Sequence, residues 1–299
     1  MKNLETTLCP ICKTSKYDTT CVSEGRDLLY GMPGIFSTSI CKKCGLERLN
    51  PRPAQSTIGK FYPNNYQPFL SASKKIPKVL HKIIKNQINL PNPKSVLELG
   101  CSSGALLATL KRYGYQTFGI EPSNYAAEIA NKQGINVICS MLEDAPLTNL
   151  RYDLIIAMMV LEHTYDPMSV LTKLKNACKK EGQLVITIPD RSSIIRKIFG
   201  NYCFDLQLPT HTYHFDRSTI CKLLTMSGWQ VNHISSIRSS RSLTGSILLL
   251  VSRKAPRLNK LALLLHEHKS CRAIRYILSV ILMIFWSTSR IEITASPSK

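Results

Sequence analysis

Between residues 94 and 190, short apolar runs alternate with segments whose apolar residues recur every three or four positions. The runs SVLELG, QTFGIEPS, NVICS, YDLIIAMMV and GQLVITIPD predict five strands, and intervening segments predict helices that begin near Ala105, Asn124 and Asp166. Strands that are apolar along most of their length are typical of a parallel sheet covered on both faces. The pattern therefore predicts an α/β fold with helices on both faces of the sheet, in which ligands bind beyond the carboxyl ends of the strands.

The pattern continues after residue 190, where DRSTICKLLTMSGW predicts a helix, WQVNHISSIRS a sixth strand and SRIEITASPS a seventh. The insertion at residues 191–214 falls on the carboxyl side of the sheet, where a substrate lid is expected. A second insertion, at residues 240–289, precedes the last strand, and a helical stripe at 74–90 predicts a helix packed on the main domain. We therefore divide the chain into an N-terminal module at 1–50, a connector with a helix at 51–93, and a main domain at 94–299.

Two CxxC pairs characterise the N-terminal module: Cys9 with Cys12, and Cys41 with Cys44. Two residues between cysteines let both sulfurs of a tight turn face one ion, and two such turns supply a closed tetrahedral zinc site. The stretch between the pairs is longer than the usual finger spacing but suits a ribbon with a long hairpin. The other cysteines have no framework spacing and no apolar leader is visible, so we expect a structural zinc ribbon and a reducing, cytoplasmic location.

Charge is unevenly distributed along the chain. Residues 1–93 carry a net charge of +9, residues 94–190 a net of −1, and residues 191–299 a net of +12, giving +20 in total. A near-neutral middle flanked by two basic ends favours anionic partners: phosphorylated small molecules, nucleic acid or an anionic membrane surface.

The first predicted strand leads into a glycine-containing loop, and an acid, Glu98, lies two residues before the first glycine. A carboxylate there would repel a pyrophosphate but suits an ammonium group, while Gly100 and Gly104 allow a ligand to approach the backbone closely. Glu121 ends the second strand, where a carboxylate can accept hydrogen bonds from both ribose hydroxyls. The arrangement predicts a nucleoside with a cationic amine and no phosphates, and S-adenosylmethionine fits this description.

These motifs resemble those of class I S-adenosylmethionine-dependent methyltransferases and occur in that family's order. VLELGCSSG resembles the first motif, although Ser102 stands where many members have glycine, and GIEPS resembles the second. The resemblance implies a Rossmann-like, seven-stranded sheet with helices on both faces. It also implies cofactor contacts from the two motifs, made by Glu98, Gly100, Cys101, Ser102, Gly104, Glu121 and Pro122.

Two later segments extend the resemblance. MLEDAP (141–146) resembles the loop that borders the adenine, where Leu142 would cover the ring and Glu143 or Asp144 would reach its amino group. MMVLEH (158–163) resembles the stretch after the fourth strand in the branch with quinone and sugar methyltransferases, and Met158 is expected at the cofactor. With the paired CxxC ribbon and the PTHTYHF segment, the chain resembles zinc-ribbon methyltransferases of deoxysugar and surface-polysaccharide synthesis.

Three histidines are candidates for the base that takes a proton from the methyl acceptor. His211 and His214 lie in the lid, and imidazole has a pKa suited to accepting a hydroxyl proton near neutral pH. Similar enzymes carry a histidine in this segment, and His211 is the first choice. His163 follows the fourth strand and competes for the role, and with Glu162 it offers two ligands to a divalent ion.

The second insertion contains two apolar segments, GSILLLVSRK and AIRYILSVILMIFW. The longer segment is too short to cross a bilayer. Residues 243–286 are expected to form helices that pack internally or make a dimer contact. The alternative is that these helices lie on an anionic membrane surface, because many Lys and Arg residues are nearby.

Two functions remain open on the sequence alone. The first is methylation of a small molecule, namely a sugar, a nucleotide sugar or a lipid-linked glycan. The second is RNA methylation, because a zinc ribbon with a basic charge is also typical of nucleic-acid binding. Against RNA, VLEHT replaces the Asn/Asp-Pro-Pro-aromatic clamp used for exocyclic amines of bases, and no Pro-Cys nucleophile for cytosine is present.

Overall fold

The computed structural model describes residues 4–16, 18–63, 94–147, 151–285 and 289–298. Two compact units are present, each assembled from separate stretches of the chain. The ribbon unit comprises Met1–Tyr62, Thr187–Leu223 and Ile234–Glu292. The sheet unit comprises Pro63–Ile186, Leu224–His233 and Ile293–Lys299.

These units do not follow the predicted boundaries at residues 50 and 93, because residues 187–223 and 234–292 cluster with the N-terminal module. The helix predicted over residues 74–90 lies outside the described residues.

The described strands are β1 (Leu4–Glu5), β2 (Asp18–Gly25), β3 (Phe36–Cys41), β4 (Glu47–Leu49), β5 (Arg52–Pro53), β6 (Ser95–Leu99), β7 (Gln116–Glu121), β8 (Asn136–Cys139), β9 (Tyr152–Met158), β10 (Cys178–Pro189), β11 (Tyr213–His214), β12 (Trp229–Ile237) and β13 (Arg290–Pro297). The described α-helices are α1 (Ala105–Arg112), α2 (Asn124–Lys132), α3 (Pro167–Ala177), α4 (Ile194–Phe199), α5 (Arg217–Met226), α6 (Ser240–Lys254), α7 (Asn259–Glu267) and α8 (Arg272–Phe285).

A seven-stranded sheet has the strand order β12-β13-β10-β9-β6-β7-β8. Strand β6 pairs in parallel with β7 and with β9, and β7 pairs in parallel with β8. The predicted α/β class, with a mostly parallel sheet of seven strands, is therefore confirmed. The last strand, β13, lies beside the sixth, β12, as expected.

The core of the sheet unit explains why its strands are apolar. Val96 of β6 and Leu154 and Ile156 of β9 are fully buried, and they pack in one cluster with Leu107 and Leu110 of α1. Burial of each such side chain stabilises the folded state by about 1.5–3 kcal/mol. The apolar runs of the sequence therefore mark the residues that contribute most to the stability of this unit.

The ribbon unit has its own four-stranded sheet, with the order β11-β4-β3-β2. Strand β11 comes from the predicted lid and pairs antiparallel with β4, placing Tyr213 opposite Arg48 and His214 opposite Glu47. Arg48 is fully buried, and its guanidinium donates to Asp18 of β2 at 2.5 and 3.0 Å. The last two residues of the predicted lid thus form an edge strand of the ribbon's sheet.

Helices α6, α7 and α8 occupy the predicted second insertion, and all three belong to the ribbon unit. The N-terminal half of α6 is buried, and Leu243 packs in a cluster with Phe36 and Leu49 of the ribbon sheet. Most side chains of α7, and of α8 as far as Leu278, are exposed. Within the described residues, none of the helices is both long and apolar enough to cross a bilayer.

Candidate functional site

The loop between β6 and α1 has an unusual backbone. Gly100, Ser102 and Gly104 all adopt a positive φ, at +59°, +49° and +74°. A Cβ atom at Gly100 would lie 2.7 Å from Val160 Cγ2, so the loop fits closely against the segment after β9. The observed backbone explains why a glycine is favoured where this chain has Ser102, because L-residues rarely adopt this conformation.

Glu121, at the end of β7, holds this loop in place. Its Oε2 accepts a hydrogen bond from the backbone N–H of Ser102 at 2.8 Å, and its Oε1 accepts one from Ser123 at 2.9 Å. Gly119 in the same strand permits the approach of Cys101, whose Sγ would lie 2.5 Å from a Cβ at that position. Gly119 lies in GIEPS and Val160 in MMVLEH, but sequence reasoning missed their roles, because each acts only by its size.

Glu98, in β6, is buried beside Glu121. Its Oε2 has no hydrogen-bond partner among the described residues. Burial, and secondarily the charge of Glu121, raises the pKa of Glu98 to about 8. Burial also raises the pKa of Glu121, although the amides of Ser123 and Ser102 oppose this effect. A buried carboxylate with an unused oxygen is costly unless a ligand pairs with it.

This arrangement fits the predicted cofactor. The unpartnered Glu98 Oε2 can accept a hydrogen bond from an ammonium group, and the cation would offset the repulsion between the two acids. The loop at Gly100 is packed so closely against Val160 that a side chain at this position would clash. Glu98, Gly100 and Glu121 therefore form the core of a candidate S-adenosylmethionine site at the carboxyl ends of β6 and β7.

The other predicted cofactor residues lie at different depths of the sheet unit. Cys101 is buried, Leu142 and Met158 are half-buried, and Pro122 is exposed. Glu143 has a clear structural contact: its Oε1 accepts from the backbone N–H of Tyr165 at 2.5 Å, which fixes its loop to the segment preceding α3. A contact of Leu142 or Glu143 with an adenine ring stays a prediction.

The candidate bases lie in both units. His211 and His214 belong to the ribbon unit, with ring centroids 6.4 Å apart, whereas His163 belongs to the sheet unit, in a 3₁₀ turn after β9. His211 is buried, and its Nδ1 lies 2.9 Å from the carbonyl oxygen of Asp205. A carbonyl can only accept, so in the neutral ring Nδ1 carries the proton and Nε2 carries the lone pair. That tautomer presents the atom a general base needs.

His214 differs from His211 in its electrostatics. Burial lowers the pKa of His214 to about 4, although the nearby Glu47 carboxylate opposes this shift. A ring that resists protonation so strongly is a weak proton acceptor at neutral pH.

The four N-terminal cysteines come together as predicted. The Sγ atoms of Cys9, Cys12, Cys41 and Cys44 all lie within 4.8 Å of one another. Sulfurs around a tetrahedral zinc, with bonds of about 2.3 Å, are separated by roughly 3.8 Å, so this set fits such an ion.

The two cysteine turns are equivalent in their hydrogen bonds. Cys9 N–H donates to Thr14 O and Cys41 N–H to Leu46 O, the same distance along the chain in both cases. The backbone N–H of Lys13 donates to the carbonyl oxygen of Cys9, and that of Gly45 donates to the carbonyl oxygen of Cys41. Both residues have a positive φ, of 54° at Lys13 and 84° at Gly45. Such repetition is typical of paired zinc knuckles and supports the predicted ribbon.

Sequence reasoning also missed a buried ionic group in the ribbon unit. The carboxylate of Glu47 lies 3.1 Å from Arg196 and 3.8 Å from Arg191. Both arginines come after strand β10 and are therefore far from Glu47 in the chain, so no local sequence pattern indicates their contact with Glu47.

Comparisons with known proteins agree with this geometry. Residues 70–234, more than half of the chain, match the family described as a methyltransferase domain. The chain is 29% identical to a ubiquinone biosynthesis O-methyltransferase of Coxiella burnetii in an alignment of 143 residues. This alignment covers 45% of the chain and 60% of the Coxiella protein. Another alignment is 31% identical over 103 residues to an uncharacterised protein of Methanocaldococcus jannaschii, covering 34% of this chain and 48% of that protein. The chain thus spans about half to three fifths of the curated relatives it matches.

The fold is also similar to the solved structure of an S-adenosylmethionine-dependent methyltransferase from Archaeoglobus fulgidus. The similarity covers 78% of this chain and 98% of that protein, with 17% identity and a TM-score of 0.50. At this identity the similarity concerns the fold alone.

Proposed function

The chain belongs to the methyltransferase-domain family, and on this premise we propose that it transfers a methyl group from S-adenosylmethionine to a hydroxyl group of a sugar. The sugar is carried on a nucleotide or a lipid through a phosphate or diphosphate link. When bound, the cofactor supplies a methyl group already activated on a sulfonium, so the protein has to position the acceptor and remove its proton.

The observation that carries the cofactor assignment is the unpartnered Oε2 of buried Glu98, beside Glu121. In our proposal Glu98 pairs with the ammonium group of the cofactor and Glu121 accepts from its ribose hydroxyls. Gly100, Ser102 and Gly104 let the ligand lie against the backbone.

We assign the base to His211 because the carbonyl of Asp205 holds the tautomer with a lone pair on Nε2. His211 would take the hydroxyl proton of the acceptor at this Nε2, while the cofactor, when bound, would supply the methyl group. His163 remains the alternative base.

The acceptor class rests on charge and on relatives. The two chain segments outside residues 94–190 carry net charges of +9 and +12, which favours a substrate with phosphate groups. The relative named for O-methylation in ubiquinone biosynthesis supports transfer to oxygen on a small molecule.

The test uses S-adenosylmethionine with a labelled methyl group and three separate acceptor fractions: nucleotide sugars, lipid-linked glycans and RNA. We expect label in one of the sugar fractions. His211→Asn should lower the rate by about 10²–10⁴, because asparagine can still donate to Asp205 O but cannot take the proton. His233→Ala, at an exposed histidine, is the control. Label in RNA would contradict the acceptor class, and an unchanged rate in His211→Asn would contradict the base.

We also propose that the four-cysteine cluster holds one structural zinc ion. The four ligands close the coordination shell, so this ion would stabilise the ribbon sheet and take no part in methyl transfer.

Finally, we propose that helices α7 and α8 bring the protein to an anionic membrane surface. Large apolar side chains are exposed along residues 258–278: Leu258, Leu261, Leu263, Leu264, Ile274, Tyr276, Ile277 and Leu278. Exposed basic residues lie in the same stretch of the chain or next to it, including Arg253, Lys254, Arg257, Lys260 and Arg272. Two such positive faces would repel each other in a dimer, whereas anionic lipid attracts both the charge and the apolar side chains.

Sedimentation with anionic vesicles tests this contact. Leu261→Glu should weaken binding by about tenfold or more, because it removes an exposed leucine that the bilayer would bury and adds a charge that anionic lipid repels. Met226→Glu, a similarly exposed site in the sheet unit, should bind as the unmodified protein does. Concentration-dependent dimerisation that Leu261→Glu abolishes, without vesicle binding, would show that a second copy covers this face.

A further inference from the structure

A cavity of about 440 Å³ opens in the ribbon unit between strand β2, strand β4 and helix α4. Its walls include Cys21, Glu47, Arg191, Arg196 and Lys197. The volume falls in the range typical of small-molecule sites. Four of its nine lining residues are charged, so charge would contribute to the recognition of a ligand.

Positive charge is in excess around this cavity. Glu47 is the one acid among its lining residues, and three cations surround it. Glu47 is ionised: although burial opposes it, the neighbouring His214 and Arg196 hold the pKa of its carboxyl below the usual value. Glu47 offsets one cation, and Asp216, which lies 3.6 Å from Arg191 Nη2, offsets a second. One net positive charge therefore remains for a ligand, beside two guanidinium groups that are held in place.

The arginines are held in fixed orientations. Arg196 donates from Nη1 to Gly200 O at 2.8 Å and from Nη2 to Glu47 at 3.1 Å. Arg191 donates from Nη2 to Gly45 O at 3.2 Å, and its buried Nε has no partner among the described residues. Guanidinium groups ordered in advance lose little entropy on binding, and their planar forks match phosphate oxygens.

Lys197 completes the charge distribution. It is exposed at the cavity wall and makes no ion pair with any acid of the described ranges. Such a flexible ammonium group can follow an anion into the cavity, as lysines do at many phosphate sites.

The cavity is also close to the assigned base. Glu47 pairs with His214 across β4 and β11, and the His214 ring lies 6.4 Å from that of His211. The His214 ring is thus a neighbour both of Glu47 in the cavity wall and of the assigned base.

We propose that this cavity binds the phosphate or diphosphate that links the acceptor sugar to its carrier. The inference rests on the proposed function for the identity of the sugar, but the binding of a diphosphate can be measured without methyl transfer. The shared chemistry is a diphosphate ester, whether the carrier is a nucleoside or an isoprenoid lipid.

Cys21 provides a reporter in the cavity wall. Its thiol is exposed, as is that of Cys139 in the sheet unit, so both should react with an alkylating reagent in the folded protein. The rate at each thiol is followed by mass spectrometry of peptides, with inorganic pyrophosphate, uridine diphosphate glucose or farnesyl diphosphate added. We expect a diphosphate to slow alkylation of Cys21 at least severalfold and to leave Cys139 unchanged.

Variants identify the cavity. Lys197→Ala should weaken protection by pyrophosphate by about tenfold, since a charge-assisted contact is lost. Lys222→Ala, an exposed lysine elsewhere in the ribbon unit, should not weaken it. A paired substitution, Glu47→Gln with Arg196→Met, avoids a lone buried charge and should abolish protection.

Protection by the uridine compound alone assigns a nucleotide carrier, and protection by the farnesyl compound alone assigns a lipid carrier. No protection of Cys21 by any probe, or equal protection of Cys139, would overturn the inference. Because methyl transfer is assayed separately, active protein without protection refutes only this cavity. Protection without methyl transfer refutes only the proposed function.

Discussion

Replacing Glu98 with glutamine isolates the carboxylate on which the cofactor site depends. The substitution keeps the size of the side chain and removes its charge. In the ligand-free protein the pKa of Glu98 is raised to about 8, by burial and by Glu121. Pairing with the cofactor's ammonium group should return it to the ionised form, so cofactor binding should release a proton.

The expected number of protons follows from that pKa. At pH 7 about 0.9 of the chains carry a proton on Glu98, while roughly 0.1 of the free cofactor amines are neutral and take one up on binding. The net release is therefore about 0.8 proton per cofactor at pH 7, rising to about 1 at pH 6 and falling to near zero at pH 8.

Calorimetric titration in two buffers with different ionisation enthalpies measures this number directly. Glu98→Gln should bind at least about tenfold more weakly and release no proton. Glu128→Gln, at an exposed acid on α2, should still release about 0.8 proton at pH 7. Unmodified protein that binds the cofactor without releasing a proton at pH 7, or a glutamine variant that still releases one, would refute the assigned role of Glu98.

The same pKa shift predicts how the stability of the ligand-free protein depends on pH. Because the folded state holds the Glu98 proton more tightly than the unfolded state, the free energy of unfolding should fall as pH rises from about 4.5 to about 8. In urea titrations, Glu98→Gln should make this fall less steep. Gly45→Ala should lower the free energy of unfolding by about 1 kcal/mol, because φ is positive at Gly45, while the added Cβ would only touch Thr219 at 3.8 Å. Lys13→Gly, at the equivalent position of the other knuckle, should raise the free energy of unfolding by a similar amount. Shifts of the urea midpoint in the same direction for both variants would contradict the equivalence of the two knuckles. Gly100→Ala should reduce cofactor affinity more than overall stability, as judged by calorimetry and thermal melting, because its Cβ would displace Val160 from the loop. A chelator should release about one zinc per chain and lower the melting temperature, and fully stable metal-free protein would end the zinc assignment.

The sheet unit could be predicted from the sequence because its rules are local. Each strand of the parallel sheet is a short apolar run, each helix has its own start and stop residues, and the cofactor acids end consecutive strands. Glu98 and Glu121 are separated in the chain by helix α1, yet the parallel register of β6 and β7 brings the ends of their strands together. Periodicity and strand order were enough to place them.

The ribbon unit could not be predicted in the same way. The strand β11 is too short to show a period, and its partner β4 belongs to the N-terminal module, before the whole parallel part of the sheet. Glu47 likewise reads as an ordinary surface acid in GLERLN, although its side chain is buried against two distant arginines. Such contacts depend on the approach of remote segments, and no local pattern of apolar residues encodes them.

These long-range contacts give the ribbon a role in positioning the lid. Cys41 ends β3, Cys44 directly precedes the turn into β4, and β4 in turn pairs with β11, which begins shortly after His211. An ion held by the cysteines would therefore fix the edge on which the lid strand forms. Since β11 is so short, it cannot be stable without that edge. The four-cysteine cluster and the segment that carries His211 are thus linked through one antiparallel sheet, which is why residues 187–223 cluster with the ribbon.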